Sequence, residues 1–181
     1  MLKTRIIPTL LYKNLTLVKG VSFDSWRRVG SVMQAVKVYN IREVDELVFL
    51  DITATGAQRK PDFRLVDDFA DECFMPLTVG GGVNELEDVR QLLKVGSDKV
   101  AINSASITNP ELIREASNVF GAQCIVVSID VKYNNEEKNY EVYSHSGTKP
   151  TGVDPINHAI NVEKLGAGEI LLTSIENDGT M

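Results

Sequence analysis

Two stretches of the chain, roughly 120 residues apart, are copies of one pattern, and a repeat of that period leaves few folds open. Ile6-Ile7-Pro8-Thr9-Leu10-Leu11-Tyr12-Lys13 matches Ile125-Val126-Val127-Ser128-Ile129-Asp130-Val131-Lys132 position by position. Each copy is an apolar run, a small hydroxyl residue, an aliphatic residue, and then one position ahead of an X-Lys pair. That position holds Asp130 in the second copy and Leu11 in the first. The following strand repeats too, with Asp45-Glu46-Leu47-Val48-Phe49-Leu50 recurring as Gly168-Glu169-Ile170-Leu171-Leu172-Thr173. The period is too long for a solenoid and fits a duplicated half-barrel.

Strands and helices alternate along the rest of the chain. Apolar runs predict strands over Arg5–Leu10, Glu46–Asp51, Met75–Val79, Lys99–Ile102, Cys124–Asp130 and Glu169–Ser174. They are continuous rather than alternating, which is the pattern of strands covered on both faces in a parallel sheet. Between them, Glu85–Val95 carries an apolar stripe of Leu86, Val89, Leu92 and Leu93, with Asn84 as the expected N-cap and Gly96 as the stop. Further helices are expected from Pro110 to about Val119 and from Asp154 to Leu165, the last ended by Gly166-Ala167-Gly168. Lys132–Ser144, with a polar Asn134-Asn135-Glu136-Glu137 turn, reads as a β-hairpin inserted after the fifth strand. Six βα-type strands and a duplicated half imply an α/β fold of the eight-stranded (β/α)8 barrel class. The 181 residues would form a single domain, an incomplete barrel lacking its last two βα units, since a whole barrel takes about 250 residues.

Composition narrows the function. A net charge of −6 with interspersed signs argues against nucleic acid and anionic membrane as partners. No apolar run reaches the roughly 20 residues of a membrane span, and Met1-Leu2-Lys3-Thr4-Arg5 has no signal-peptide core, so a cytoplasmic location is expected. Cys73 and Cys124 lie in apolar contexts without a CxxC spacing or a neighbouring histidine, the pattern of two reduced buried thiols. Neither a metal site nor a cofactor is expected.

The chemistry-bearing residues gather at the C-terminal ends of the expected strands, where barrel enzymes build their sites. In Leu77-Thr78-Val79-Gly80-Gly81-Gly82-Val83, the glycines Gly81 and Gly82 let the backbone approach a ligand, and the next helix offers free N–H groups suited to phosphate. Asn103 and Ser104 end the fourth strand beside that turn. Asp178 and Gly179 follow the sixth strand near the pseudo-symmetric position. Two such grips suit a long ligand with a phosphate at each end. Asp51 and Asp130 end strands two and five, and each could serve as a base or as an ion-pair or capping group. Lys19 falls in an expected loop, Asn14 to Val29, which also carries Gly20, Trp26, Arg27 and Arg28 and reads equally as a lid over an anion or as a solvated loop. His145 and His158 read as bystanders. At the opposite strand ends, Arg5, Glu46, Lys99 and Glu169 each open a strand, and charges so placed should pair into a ring that plugs or gates the barrel's base.

These strings resemble the cyclase subunit of imidazole glycerol phosphate synthase, the HisF family of histidine biosynthesis. The resemblance runs over the whole chain and rests on Asp45–Ala54, Thr78-Val79-Gly80-Gly81-Gly82, Asp98-Lys99-Val100 and Gly166–Ser174. It implies a barrel docked on a glutaminase subunit, whose ammonia crosses the barrel to react with a phosphorylated intermediate. It further implies phosphate grips at Gly82, Asn103 and Ser104 and at Asp178 and Gly179, an ammonia gate of Arg5, Glu46, Lys99 and Glu169, and a glutaminase-facing Asp98. Of the family's two acid–base aspartates, Asp130 matches one and Leu11 stands at the other; Leu15 also stands where the family usually has glycine.

Two functional readings follow. In the first, the chain is a cyclase-subunit homologue working with Asp130. In the second, resembling a branch tied to surface-polysaccharide synthesis, it delivers ammonia to a separate sugar amidotransferase without cyclising anything. Loss of one acid–base group costs about 10²–10⁴-fold in rate, so the sequence leads one to expect little cyclisation.

Overall fold

A computed structural model describes residues 4–180; Met1–Lys3, read above for a targeting signal, and Met181 lie outside the described residues. Strand β1 (Thr9–Lys13) turns directly into β2 (Thr16–Val21) and β3 (Asp24–Gly30). Helix α1 (Val32–Ile41) then leads to β4 (Leu47–Asp51), α2 (Phe63–Ala70) to β5 (Leu77–Gly80), and α3 (Leu86–Lys94) to β6 (Lys99–Ile102). Helices α4 (Ala105–Thr108) and α5 (Glu111–Phe120) precede β7 (Ile125–Asn134), which doubles back through β8 (Asn139–Ser144) and β9 (Lys149–Pro150). Helix α6 (Pro155–Leu165) and β10 (Glu169–Ser174) follow.

Strands β1, β4, β5, β6, β7 and β10 pair in parallel in that order, the progression of a (β/α)8 barrel carried through six strands. The duplication extends beyond the strands matched in the sequence, because β1 and β7 each run on into an antiparallel hairpin. Side-chain alternation divides the sheet. Leu10, Tyr12, Leu47, Phe49, Leu77, Val79, Val100, Ile102, Ile125, Val127 and Ile129 face the helices and form the main core. The other face carries smaller groups, Thr9, Thr78, Gly80, Ala101 and Ser128, and leaves room inside the barrel. Among the described residues, no helix is long and apolar enough to cross a membrane.

Local chemistry accounts for most boundaries. The first strand begins at Thr9 instead of Arg5, and the third at Leu77 instead of Met75. Pro8 and Pro76 have no N–H to give a ladder, so each contributes only its carbonyl, to Val48 and Leu47 respectively. The N-cap of α3 is Glu85 and not Asn84, because Asp88 Oδ2 accepts from the backbone N–H groups of both residues. Helix α6 keeps its expected bounds: Asp154 accepts from the Asn157 N–H, Pro155 takes the first turn, and Gly166 closes it in the left-handed conformation.

The clearest departure is Asn14–Val29. It is not a loop but the β2–β3 hairpin, with Leu17 and Val18 buried against the sheet. The turn that leads into it from β1, Asn14-Leu15, and the turn within it, Ser22-Phe23, have positive φ at both central residues, the backbone form of tight two-residue hairpin turns. Such turns usually advertise themselves with glycine, and here neither does. Leu15 holds φ +65° while 86% exposed, so it carries backbone strain without burial to offset it. Leu15→Gly is therefore expected to stabilise the protein by about 1 kcal/mol, read as an increased urea midpoint at unchanged m-value. An unchanged or lower midpoint would contradict a strained turn.

Candidate active site

A cavity of about 630 Å³ opens at the C-terminal ends of the parallel strands. Its polar wall is built from neighbouring strands: Asn103 after β6, Ser128 and Asp130 on β7, and Thr173 on β10, with Asp178 and Gly179 on the turn beyond. Lys19 reaches it from β2, while Gly81 and Asp51 border it from β5 and β4. Across from Asp130 the wall is aliphatic. Leu11 points inward from β1, beside Val18 on β2 and Leu50 on β4.

Asp130 is buried, and burial pushes its carboxyl up to about 7. The bond that Asn103 Nδ2 donates to Asp130 Oδ2, at 3.1 Å, opposes that rise, and the charge of Asp178 adds to it. Asn103 also donates to the Ser128 carbonyl at 3.0 Å, so one amide fixes both Asp130 and the strand that carries it. The carboxyl of Asp178 is likewise raised by burial, with a backbone N–H of Phe23 and the Lys19 ammonium pulling it the other way. At neutral pH the site therefore holds one carboxyl poised near half-protonation, a second carboxyl in the same cavity, and a lysine. That is acid–base equipment.

The remaining candidates have definite places. Asp51 is a structural carboxylate in this geometry: Oδ1 accepts from Thr53 N (2.9 Å), Thr53 Oγ1 (2.7 Å) and Ala54 N (3.1 Å), and Oδ2 pairs with Arg59 at 3.2 Å. Gly81 and Gly82, at φ +105° and +77°, lie under this loop, and a Cβ on either would collide with the carbonyl of Asp51 or Arg59. Their smallness is demanded by the loop crossing them. Ser104 is buried, accepts the His145 N–H at 3.1 Å and donates to Asn103 Oδ1 at 3.3 Å. It thereby pins the β8–β9 turn over the site. Ser146 on that turn lines the cavity and donates to the Ile52 carbonyl at 2.7 Å. Neither Ser146 nor Thr173 stood out in the sequence. Ser128 did carry a signal, since the repeat aligns it with Thr9, which lines the same cavity. His158 is buried with Nε2 3.0 Å from Ser106 Oγ, and burial lowers its pKa, which suits a neutral core histidine.

The charged set at the other ends of the strands closes into a network. Lys99 Nζ lies 2.8 Å from Glu46 and 2.7 Å from Glu169, while Arg5 pairs with Glu46 and stands 3.8 Å from Glu169. Burial works against the Lys99 charge, but the two carboxylates outweigh it and its pKa is raised. A second cavity of about 280 Å³ sits on this network. Thr9 and Leu171 line both cavities, so the two spaces adjoin through the barrel interior. Asp98 is exposed at the same end, with Oδ2 accepting from the Leu77 N–H at 2.8 Å. Among the described residues there is no group of three or more acidic, histidine or cysteine side chains that could hold a metal.

A family model described as "Histidine biosynthesis protein" matches residues 5–181, which covers every residue placed above.

The raised Asp130 carboxyl has a consequence for stability. Its folded pKa, about 7, lies above the unfolded value of 3.8, so the folded state holds this proton more tightly. The resulting stability is complete below about pH 4 and is lost as pH climbs towards about 7, a swing on the order of 4 kcal/mol from this one group. Asp130→Asn should remove that component. Urea unfolding at pH 5 and pH 8 should show a smaller pH-dependent loss in the variant than in the parent, and equal losses would refute a perturbed Asp130.

Proposed function

The chain belongs to the histidine biosynthesis protein family, and on that premise we propose that it is a homologue of the imidazole glycerol phosphate synthase cyclase subunit. In this reading it binds a phosphorylated ligand in the Asp130 cavity and receives ammonia from a glutaminase partner through the barrel. The observation that carries the proposal is the pair of adjoining cavities, one against the Arg5–Glu46–Lys99–Glu169 network and the other against Asp130. Ammonia is small and neutral and can pass between strands lined by threonine, valine and leucine, whereas a hydrated ion would lose its water shell there. At the far end, acid–base groups and Lys19 meet an anionic acceptor. Asp98, exposed beside the charged network, suits the glutaminase-facing surface.

One residue favours a second reading. Leu11 leaves the β1 side of the cavity without a carboxylate. A barrel that passes ammonia to a separate sugar amidotransferase, in surface-polysaccharide synthesis, needs the charged network and the passage but no second acid–base group on β1.

The two readings separate in a reconstituted assay. The full chain is combined with a glutaminase and the phosphorylated imidazole-carboxamide intermediate, with nitrogen supplied as glutamine or as ammonium salt. The cyclase reading predicts imidazole product from both sources. Lys99→Met should lower the glutamine-dependent rate by about tenfold, a barrier change of about 1.4 kcal/mol, and lower the ammonium-dependent rate by less. Glutaminase stimulation without imidazole product from either source would select the delivery reading. A chain that stimulates no glutaminase would sink both.

A further inference from the structure

Leu11 removes a carboxylate from β1, yet the cavity is not left with one titrating acid. Asp178 lines it as well, on the short turn that follows β10. Strands β7 and β10 are direct parallel neighbours, with Thr173 opposite Asp130 in register, so the turn carrying Asp178 rises beside the end of β7. The position of Asp178 is fixed from several sides. Its N–H donates to the Ser174 carbonyl at 3.0 Å, and its own carbonyl accepts from Ser22 N at 2.8 Å, across from the β2–β3 hairpin. Gly179 next to it packs so tightly under Gly20 that a Cβ would collide with the Gly20 carbonyl. These contacts hold the main chain at Asp178, and a backbone N–H of Phe23 reaches its carboxyl.

A carboxylate is also a poor phosphate ligand, since the two anions repel. Phosphate contacts at this turn therefore suit backbone N–H groups and Lys19 better than the Asp178 side chain. We infer that Asp178 is a catalytic residue of this site, forming with Asp130 the acid–base pair that would otherwise need a carboxylate at position 11. The inference rests on the cyclase reading for its substrate but not for the pairing itself.

The physical logic is that of two carboxyls sharing one space. Each disfavours ionisation of the other, so the pair loses its protons in two separated steps and holds one proton across an intermediate pH range. Other charged or titratable groups around the pair are Lys19, the Arg59-bound Asp51, and Tyr143 and His145 on the β7–β9 hairpin. As ammonia adds to a carbonyl of the acceptor, a C–N bond forms and the carbonyl π pair moves to oxygen. Asp130 gives its proton to that oxygen, and Asp178 takes one from the cationic nitrogen. The product is a neutral adduct, and one proton returning from Asp178 to Asp130 through cavity water resets the pair.

The pairing is tested without any ligand by following aspartate carboxyl carbon signals against pH in the full chain. Asp130 should titrate near pH 7, and Asp178→Asn should lower its midpoint while burial keeps it above the ordinary carboxylate range. Asp130→Asn should likewise lower the midpoint of Asp178. Midpoints that ignore each other's substitution would overturn the pair, whatever the activity. In the ammonium-dependent assay, Asp178→Asn should cost about 10²–10⁴-fold in turnover, and adding Leu11→Asp to that variant should restore part of the rate. Turnover untouched by Asp178→Asn would overturn the catalytic role. A parent protein with coupled carboxyls but no turnover would instead refute the cyclase reading and with it the use of the pair in catalysis.

Discussion

Lys99 holds the sheet in its curve. The parallel strands run from β1 to β10 without β10 pairing to β1, so hydrogen bonding alone does not close the ring. Lys99, on β6, reaches Glu46 before β4 and Glu169 on β10, while Arg5 before β1 reaches the same two carboxylates. Residues from both ends of the parallel series thus meet at one point. Glu46 is buried, and the Lys99 side chain is only 14% exposed, so the pairs form where water screens them poorly. That is a mixed contribution: desolvating the charges cancels much of their attraction, but an unpaired member would be costly to leave behind. The network therefore selects the curved arrangement more than it stabilises the chain.

The opposite end of the ring is bridged by backbone. The β2–β3 hairpin leaves β1 and crosses to the turn after β10, where Ser22 bonds the carbonyls of Asp178 and Glu176. An ionic tie below and a hairpin strap above hold the space between the strands open as a cavity. Inside it, short side chains such as Thr9, Ser128 and Ala101 fill little volume. Asp130 is consequently shielded from bulk water yet reachable by a ligand, and this combination lifts its carboxyl to about 7. The chemistry of the site is a product of the closure.

Much of this arrangement was legible in the chain because the relevant signals are local. Continuous apolar runs marked the parallel strands, and Asp154, Pro155 and Gly166 marked α6 through capping chemistry that needs no tertiary partner. The repeat aligns the hydroxyl residues Thr9 and Ser128, and the structure places both at one cavity. The β2–β3 hairpin escaped because its turns place Asn14, Leu15, Ser22 and Phe23 at positive φ without glycine, a choice only the surrounding strands can impose. Asp51 was ambiguous for a different reason. Whether a carboxylate at a strand end caps a loop or faces a substrate depends on where Thr53 and Arg59 fold back, and their sequence spacing does not say. The proximity of Asp178 to Asp130 was equally hidden, since 48 positions separate them and only the β7–β10 pairing brings them together.

The aliphatic Leu11 also has an electrostatic side. A third carboxylate facing Asp130 and Asp178 would add like charge to a cavity where burial already resists ionisation, although Lys19 pulls Asp178 the other way. Leucine relieves that repulsion and divides the cavity into halves of different character. Leu11, Val18 and Leu50 form an apolar wall on the β1 side, while Asn103, Ser128, Asp130 and Asp178 form a polar wall on the β7 side. A ligand held between them would turn its reacting polar atoms towards β7 and β10, because an unpaired polar group against leucine costs about 1–3 kcal/mol. An aliphatic residue at position 11 thus turns the polar atoms of whatever binds towards Asp130 and Asp178.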